Sequence, residues 1–486
     1  MPVIRRPRRR SLVVLVALAL LAGLLASAPA AQAQSTTIYV SPNGSDDNPG
    51  TRARPKYSLV SAMLALPDGG DILMRGGTYR YGQSDSGLWR GGTRGRPLVI
   101  RSVKGERARI VSAPGANCVL ALGDFTRVRN IDCTGSEGIM AYGANNVIFA
   151  GNYVHDLTAS YEQGINVSGG SSNIIIRNNR IQRVPHTGIA VGDTEAYSSR
   201  NVTVDRNWVR QANYQFRNRS APQGGWGSGI SVIGVDGAKI TRNDVRRTFG
   251  EGINCPLSNN CRVRRNVVVD AWNALFYADN ATNSVWEDNI AKTTGDPRFE
   301  RDYGFGGFQA SGFMFGNERG WYQGAGNPGN NNTVRNNLVI NAHRGVGFLD
   351  FGVSGGLRNT RIANNTFVRV LCGTDFQANG STAGNEFVNN IVVPSSNGRP
   401  TCSSTAGVTW RNNLWASGNP GAARHASDVR GNPGFVRGTG LGPAGYQLAP
   451  GSAAINQGRT LSYVDDDRRN RNRPRGGAYD IGAFEY

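Results

Sequence analysis

Lysine is nearly missing from this chain: only Lys56, Lys104, Lys239 and Lys292 occur among 54 basic residues, so the formal charge of +20 is carried by arginine. The basic residues are spread along the chain with no concentrated arm or nucleic-acid motif, so nucleic acid is not the expected partner. An anionic polysaccharide or a merely solvated surface accounts for the charge. Histidine is as scarce, with His155, His186, His343 and His425 scattered and no Cys-x-x-Cys pair, which argues against zinc. Beyond the N-terminal region no apolar run is long enough to span a bilayer, and no helical stretch is long enough for a crossover connection.

What the chain has in quantity is one short pattern, Asn-x-apolar. It recurs at Asn152, Asn179, Asn207, Asn243, Asn266, Asn289, Asn337, Asn365, Asn390 and Asn413, with spacings of 27, 28, 36, 23, 23, 48, 28, 25 and 23 residues. Two positions on stand Val154, Ile181, Val209, Val245, Val268, Ala291, Val339, Phe367, Val392 and Trp415, all fit for an interior. Between these falls a Gly-apolar beat, as at Gly164-Ile165, Gly188-Ile189, Gly229-Ile230, Gly252-Ile253 and Gly345-Val346. Short strands repeating in one order stack in parallel, about 4.8 Å per coil, and this predicts a single-stranded right-handed parallel β-helix of about ten or more coils. Stacked amides satisfy one another and the backbone in the interior, so the asparagines are assigned a structural role rather than chemistry.

Arg5, Arg6, Arg8, Arg9 and Arg10 precede an apolar run from Leu12 to Leu25 and an Ala31-Gln32-Ala33 ending, the pattern of a secretory signal peptide over 1–33. Its removal takes five arginines and no acids, lowering +20 by 5 to +15. The six cysteines suit an exported protein, free or held at the cell surface; neighbours in sequence pair as Cys118 with Cys133, Cys255 with Cys261 across a tight turn, and Cys372 with Cys402. A monomer is expected. The organisation read from the sequence is an N-terminal cap over 34–96 with a short helix near Ser58 to Leu66, the solenoid over 97–418, and a C-terminal capping segment over 419–486.

The stretch from Tyr39 to Gly50, with Gly69-Gly70-Asp71 and Arg75-Gly76-Gly77-Thr78-Tyr79, resembles the N-terminal cap of secreted bacterial β-helix proteins of the pectate lyase-like superfamily. Asn432-Pro433-Gly434-Phe435, Pro450-Gly451-Ser452-Ala453-Ala454-Ile455 and Asp480-Ile481-Gly482-Ala483-Phe484-Glu485 resemble the closing segment of the same proteins. The resemblance implies the fold but no single reaction, since that superfamily holds lyases, hydrolases, epimerases and proteins without known activity. No Trp-Val-Asp-His segment, Gly-His-Gly segment or Gly-Phe-Lys-Leu-Gly lysine is present, and Val184-Pro185-His186-Thr187 shares only Pro-His with the epimerase motif. No catalytic residue is carried over.

Loop lengths point to a site. From each Asn to the next Gly beat there are 12, 9, 22, 9, 8, 23 and 8 residues, so long loops near Asn213 to Ser228 and Thr294 to Ser311 leave the same turn with two bare coils between them. The cleft they bound is about 10 to 15 Å wide. Tyr214, Phe216, Arg217, Arg219 and Trp226 on one loop, and Arg298, Phe299, Arg301, Asp302, Tyr303, Phe305 and Phe308 on the other, suit sugar stacking and uronate pairing, or else pack their own loops on the wall. The floor takes Glu251, Asn254, Trp272, Asn273 and Tyr277, with Arg246, Arg247 and Asp270 at the preceding turn, His186 two coils before Glu251, and His343 with Arg344 two coils after Asn273. Arg247 and Asp270 also fit a stack of alternating charge on the turn.

These residues suggest an enzyme, with three readings open. β-Elimination on an acidic, uronate-containing glycan needs a base, for which His186, Tyr277 or Tyr303 are candidates, and a cation, which arginine supplies or which a Ca2+ ion ligated by Glu251, Asp270 or Asp302 shares. Hydrolysis needs two carboxyls, such as Glu251 with Asp270 or Asp302. A secreted, non-catalytic carbohydrate-binding protein needs neither.

Overall fold

The computed structural model describes residues 36–194, 197–218, 226–299, 310–318, 329–351, 356–377, 382–436 and 443–486. The predicted signal peptide lies outside them. Three strands per coil build three faces. The first face is a sheet of 14 parallel strands running from Thr37–Val40 through Gly70–Met74 and Leu98–Ser102 to Val408–Arg411. The second face begins just after each ladder asparagine, with Tyr153–Leu157, Arg180–Gln182, Trp208–Arg210, Asp244–Thr248, Val267–Ala271 and Ile290–Lys292 in parallel register. The third face carries the Gly beat: Ile165–Ser168, Ile189–Gly192, Ser228–Ile233, Glu251–Asn254, Ala274–Asp279, Ser311–Gly316 and Arg344–Leu349. Parallel strands joined coil by coil give the right-handed parallel β-helix.

Inward positions stack by type. Val154, Ile181, Val209, Val245, Val268, Val339, Phe367 and Val392 are all fully buried in one core. The turn before the second face is made by a residue in the left-handed region followed by the ladder asparagine, as at Asn178 (φ 55°), Arg242 (φ 56°) and Arg265 (φ 58°). Each ladder amide is fully used. Asn243 donates to Asn266 Oδ1 (2.9 Å) and Val204 O (2.9 Å) from Nδ2, and its backbone N–H shares the same Asn266 oxygen (2.9 Å). The pattern repeats from Asn152 to Asn413, where Asp428 Oδ1 accepts the last backbone N–H (3.0 Å).

The predicted N-terminal helix is Leu59–Leu64, capped by the Ser58 hydroxyl on Ser61 N–H (3.0 Å). Asp46 anchors it by accepting from Ser58 N–H (2.8 Å) and Tyr57 N–H (3.0 Å). The C-terminal chain runs back along the outside of the ladder turn. Outer asparagines there donate to it: Asn336 to Asp466 O (2.8 Å), Asn364 to Asp480 O (3.1 Å), Asn389 to Arg459 O (2.8 Å) and Asn412 to Gln457 O (3.1 Å). A buried Arg473–Glu485 pair (2.5 Å) locks its end.

Cys118–Cys133 and Cys372–Cys402 are disulfides, which suit an oxidising, extracellular compartment. The expected Cys255–Cys261 bridge is not formed. Cys255 follows the third-face strand Glu251–Asn254 and Cys261 precedes the next first-face strand, and both lie in the apolar interior, where they remain as hydrogen-bonded thiols. Among the described residues no helix is long and apolar enough to cross a membrane.

Candidate active site

The turn between the second and third faces takes the insertions. Trp208–Arg210 and Ser228–Ile233 flank one, Ile290–Lys292 and Ser311–Gly316 the other, while the coils of Asp244–Thr248 and Val267–Ala271 pass directly into the third face. Side chains that alternate outward on the third face, Asn254, Tyr277 and Met314, are nonetheless buried. They form a low-dielectric floor.

Glu251 opens its third-face strand and lies in register with Ser228 of the preceding coil. Its carboxylate accepts from Ser228 Oγ (3.3 Å), from Asn254 Nδ2 and from the Asn273 side chain, and Asn254 Nδ2 also reaches Ser228 Oγ (2.8 Å). Burial pushes the Glu251 pKa up from 4.5 to about 7; the Glu318 charge adds to this, and the amide and hydroxyl donors oppose it. Tyr277, opposite Asn254 in the next coil, donates its hydroxyl to Glu318, and burial with Asp279 and Glu318 nearby holds its pKa well above the usual phenol range. Glu318 is fixed in turn by its backbone N–H on Asp279 Oδ1 (2.9 Å). Glu251, Asn254, Asn273 and Tyr277 therefore meet as expected, with Ser228 and Glu318 added.

Arg247 and Asp270 do not join that cluster. They sit on the second-face side of the turn, where Arg210, Arg246, Arg247, Val269, Asp270 and Thr294 line a depression of about 270 Å³. Asp270 accepts from Thr294 N–H (2.8 Å) and Oγ1 (3.0 Å); burial raises its pKa and Asp296 adds to this, while Arg247 pulls it down. Lys292, buried beside it, has its pKa lowered by desolvation. Asp270 and Arg247 also occupy left-handed positions (φ 59° and 58°), in one stack with Asp156 and Arg183.

His186 lies two coils before Glu251, beyond its reach. It is half-buried, desolvation alone lowers its pKa to about 4, and its Nε2 has no hydrogen-bond partner among the described residues. Arg344, three coils beyond Glu251 in the same column, is tied to Asp375 and reaches Ser311 Oγ (3.4 Å). The loop residues divide. Trp226 is exposed and its ring leans on buried Trp272 (6.0 Å). Tyr214 packs edge-on to Phe249 (6.1 Å) with Arg217 over its ring (4.5 Å), Phe299 also packs on Phe249 (5.1 Å), and Arg298 pairs with Asp296 (2.5 Å). For these four the wall-packing alternative describes the geometry. Arg219, Arg301, Asp302, Tyr303, Phe305 and Phe308 lie outside the described residues.

Glu318, Asp279, Asp375 and Lys292 were missed from the sequence. For Glu318 a signal exists: the 48-residue spacing exceeds the 23-residue minimum by 25, and the counted loop, 23 residues against 8, explains only 15 of them. The rest is a second insertion, after Ser311–Gly316, and Glu318 opens it. Among the described residues no three His, Cys, Asp or Glu side chains converge as metal ligands.

Comparison with known proteins agrees with this fold. A family profile described as a right handed beta helix region matches residues 110–221. The uncharacterized protein YwoF of Bacillus subtilis (strain 168) is 30% identical over 154 residues, 31% of this chain and 29% of its own length. Pectate lyase PEL9 of Emericella nidulans is 31% identical over 158 residues, 29% of this chain and 37% of its own. The matches thus span about a third of either relative. The solved structure of XylC in complex with xylose covers 92% of this chain and 98% of its own at a TM-score of 0.53 and 10% identity, a likeness of fold alone. The architecture these comparisons share is the right-handed parallel β-helix.

Proposed function

We propose that this is an exported enzyme that cleaves an acidic, uronate-containing polysaccharide by β-elimination at the turn between the second and third faces. One observation carries the reading: a buried carboxyl with a pKa of about 7, Glu251, lies four residues along the chain from an arginine-lined depression. The partial likeness to a protein named as a pectate lyase supports the substrate class.

The chemistry divides between the two sides of the turn. Arginines of the depression pair with substrate carboxylates. Glu251, ionised above pH 7 and more basic than an ordinary carboxylate, takes the proton from the carbon α to the uronate carboxyl. The electron pair forms the new C=C bond as the glycosidic C–O bond breaks, and Tyr277 supplies a proton to the departing oxygen. The negative charge that builds on the uronate is met by arginine; a Ca2+ ion, if Asp270 held one beside the depression, would share that role.

Hydrolysis is the second reading, and the coupling of Glu251 to Glu318 favours it. A protonated Glu251 then acts as acid and Glu318 as the second carboxylate. Incubation of the protein with polygalacturonate, alginate and a neutral polymer, with calcium and with chelator, tests both. Ultraviolet absorbance from an unsaturated uronate, lost in Glu251→Gln, is the expected result. New reducing ends without that absorbance mean hydrolysis, and no product from any polymer overturns the enzymatic reading.

A further inference from the structure

We infer that the second face bears an additional binding strip for the acidic polysaccharide, a stack of arginines and aromatic rings leading away from the depression toward the N-terminal coils. The class of polymer is taken from the proposed function; the surface lies outside the turn.

Tyr153, Arg180 and Trp208 occupy successive coils at one register. Arg180 is sandwiched, 4.9 Å from the Tyr153 ring centre and 4.5 Å from that of Trp208. Arg107 lies over Tyr153 (5.8 Å) and Arg210 over Trp208 (4.2 Å). Ring, cation and ring thus alternate along the solenoid axis over three coils, with Arg210 on the same strand as Trp208. Arg210 also lines the depression, so the strip and the site are continuous.

The stacking decides the ligand chemistry. A guanidinium held over a ring by its face keeps its N–H donors for other partners, and the contact restricts its conformation before any ligand arrives. Arg180 spends one donor on Gln182 Oε1 (3.2 Å) and is exposed, and among the described residues no carboxylate pairs with it. Tyr153 and Trp208 already carry cations, so a neutral sugar finds little free aromatic surface, whereas a carboxylate finds the donors of Arg180; Arg107 and Arg210 are already paired with Asp132 and Asp244. The two rings are two coils apart, about 10 Å, a spacing on the order of every second sugar in an extended uronan. A flat face of parallel strands suits a single linear chain. No element on it is shaped to enter a nucleic-acid groove.

Binding is best measured on full-length Glu251→Gln, which leaves the polymer intact, by affinity electrophoresis in polygalacturonate, in a neutral polymer and with duplex DNA. Adding Arg180→Gln is expected to weaken polygalacturonate binding by about fivefold, and Arg180→Lys, which keeps charge but loses the planar fork, to restore little of it. Circular dichroism confirms that both variants fold. Unchanged affinity in Arg180→Gln, equal retention by the neutral polymer, or tighter binding of DNA than of polygalacturonate each overturns the strip. Binding that depends on Arg180 in a protein whose wild type forms no product would sustain the strip and defeat the enzymatic reading; product formation without that dependence would do the reverse.

Discussion

The two turns that flank the second face are made from the same coils at the same rise, yet they treat buried asparagines in opposite ways. At the ladder turn every amide of the asparagine column is paired on both its atoms, and the C-terminal chain lies against the outer asparagines of the later coils. At the opposite turn Glu251 is buried with a pKa near 7, His186 Nε2 and Asn254 Oδ1 have no hydrogen-bond partner among the described residues, and the insertions emerge. Burial of satisfied polar groups fixes a fold, whereas burial of a proton-exchanging group shifts its pKa toward working pH. Structure and reactivity are therefore segregated to opposite edges of one sheet.

Four substitutions or conditions sharpen that contrast, the largest effect first. Glu251→Gln should lower turnover about 1,000-fold, the size of a lost acid or base, with the thermal midpoint held or raised. Asn266→Ala should do the opposite. It strands Asn243 N–H and Nδ2 and Ile240 O in the core, at a cost of about 4 kcal/mol in denaturant unfolding, while the remaining folded protein keeps its turnover.

The third prediction concerns pH. Glu251 has a folded pKa of about 7 against 4.5 unfolded, so between those values the folded state binds the extra proton. Stability from this group is therefore complete below pH 4.5, declines as pH rises toward 7 and is flat above, a loss of about 3 kcal/mol that Glu251→Gln should abolish. Unfolding curves of both proteins at pH 5 and pH 8 read the difference directly. The smallest effect is expected for Arg247→Gln on the rim of the depression, about a fivefold rise in KM for polygalacturonate with kcat held.

The sequence made the ladder turn legible because its signal is periodic: an amide that must stack on its neighbours recurs at each coil, and Val154, Ile181 and Val209 follow it inward. The opposite turn was legible as loop lengths, which placed Glu251, Asn273 and Tyr277 together. What was not legible depends on burial in three dimensions. Glu318 comes from an insertion after the third-face strand, Cys255 and Cys261 remain thiols in the core, and Tyr214 and Phe299 pack on Phe249 instead of facing a cleft. Asp270 and Glu251 are four coil positions apart in pattern but fall on opposite sides of the turn, a distinction made by the left-handed residue at Asp270.

The most direct measurement is unsaturated-uronate formation from polygalacturonate by wild-type protein and Glu251→Gln side by side, each verified as folded by its unfolding transition. The account expects steady product from the wild type and about a 1,000-fold slower rate from the variant at an equal or higher unfolding midpoint. Equal rates in the two proteins would contradict it.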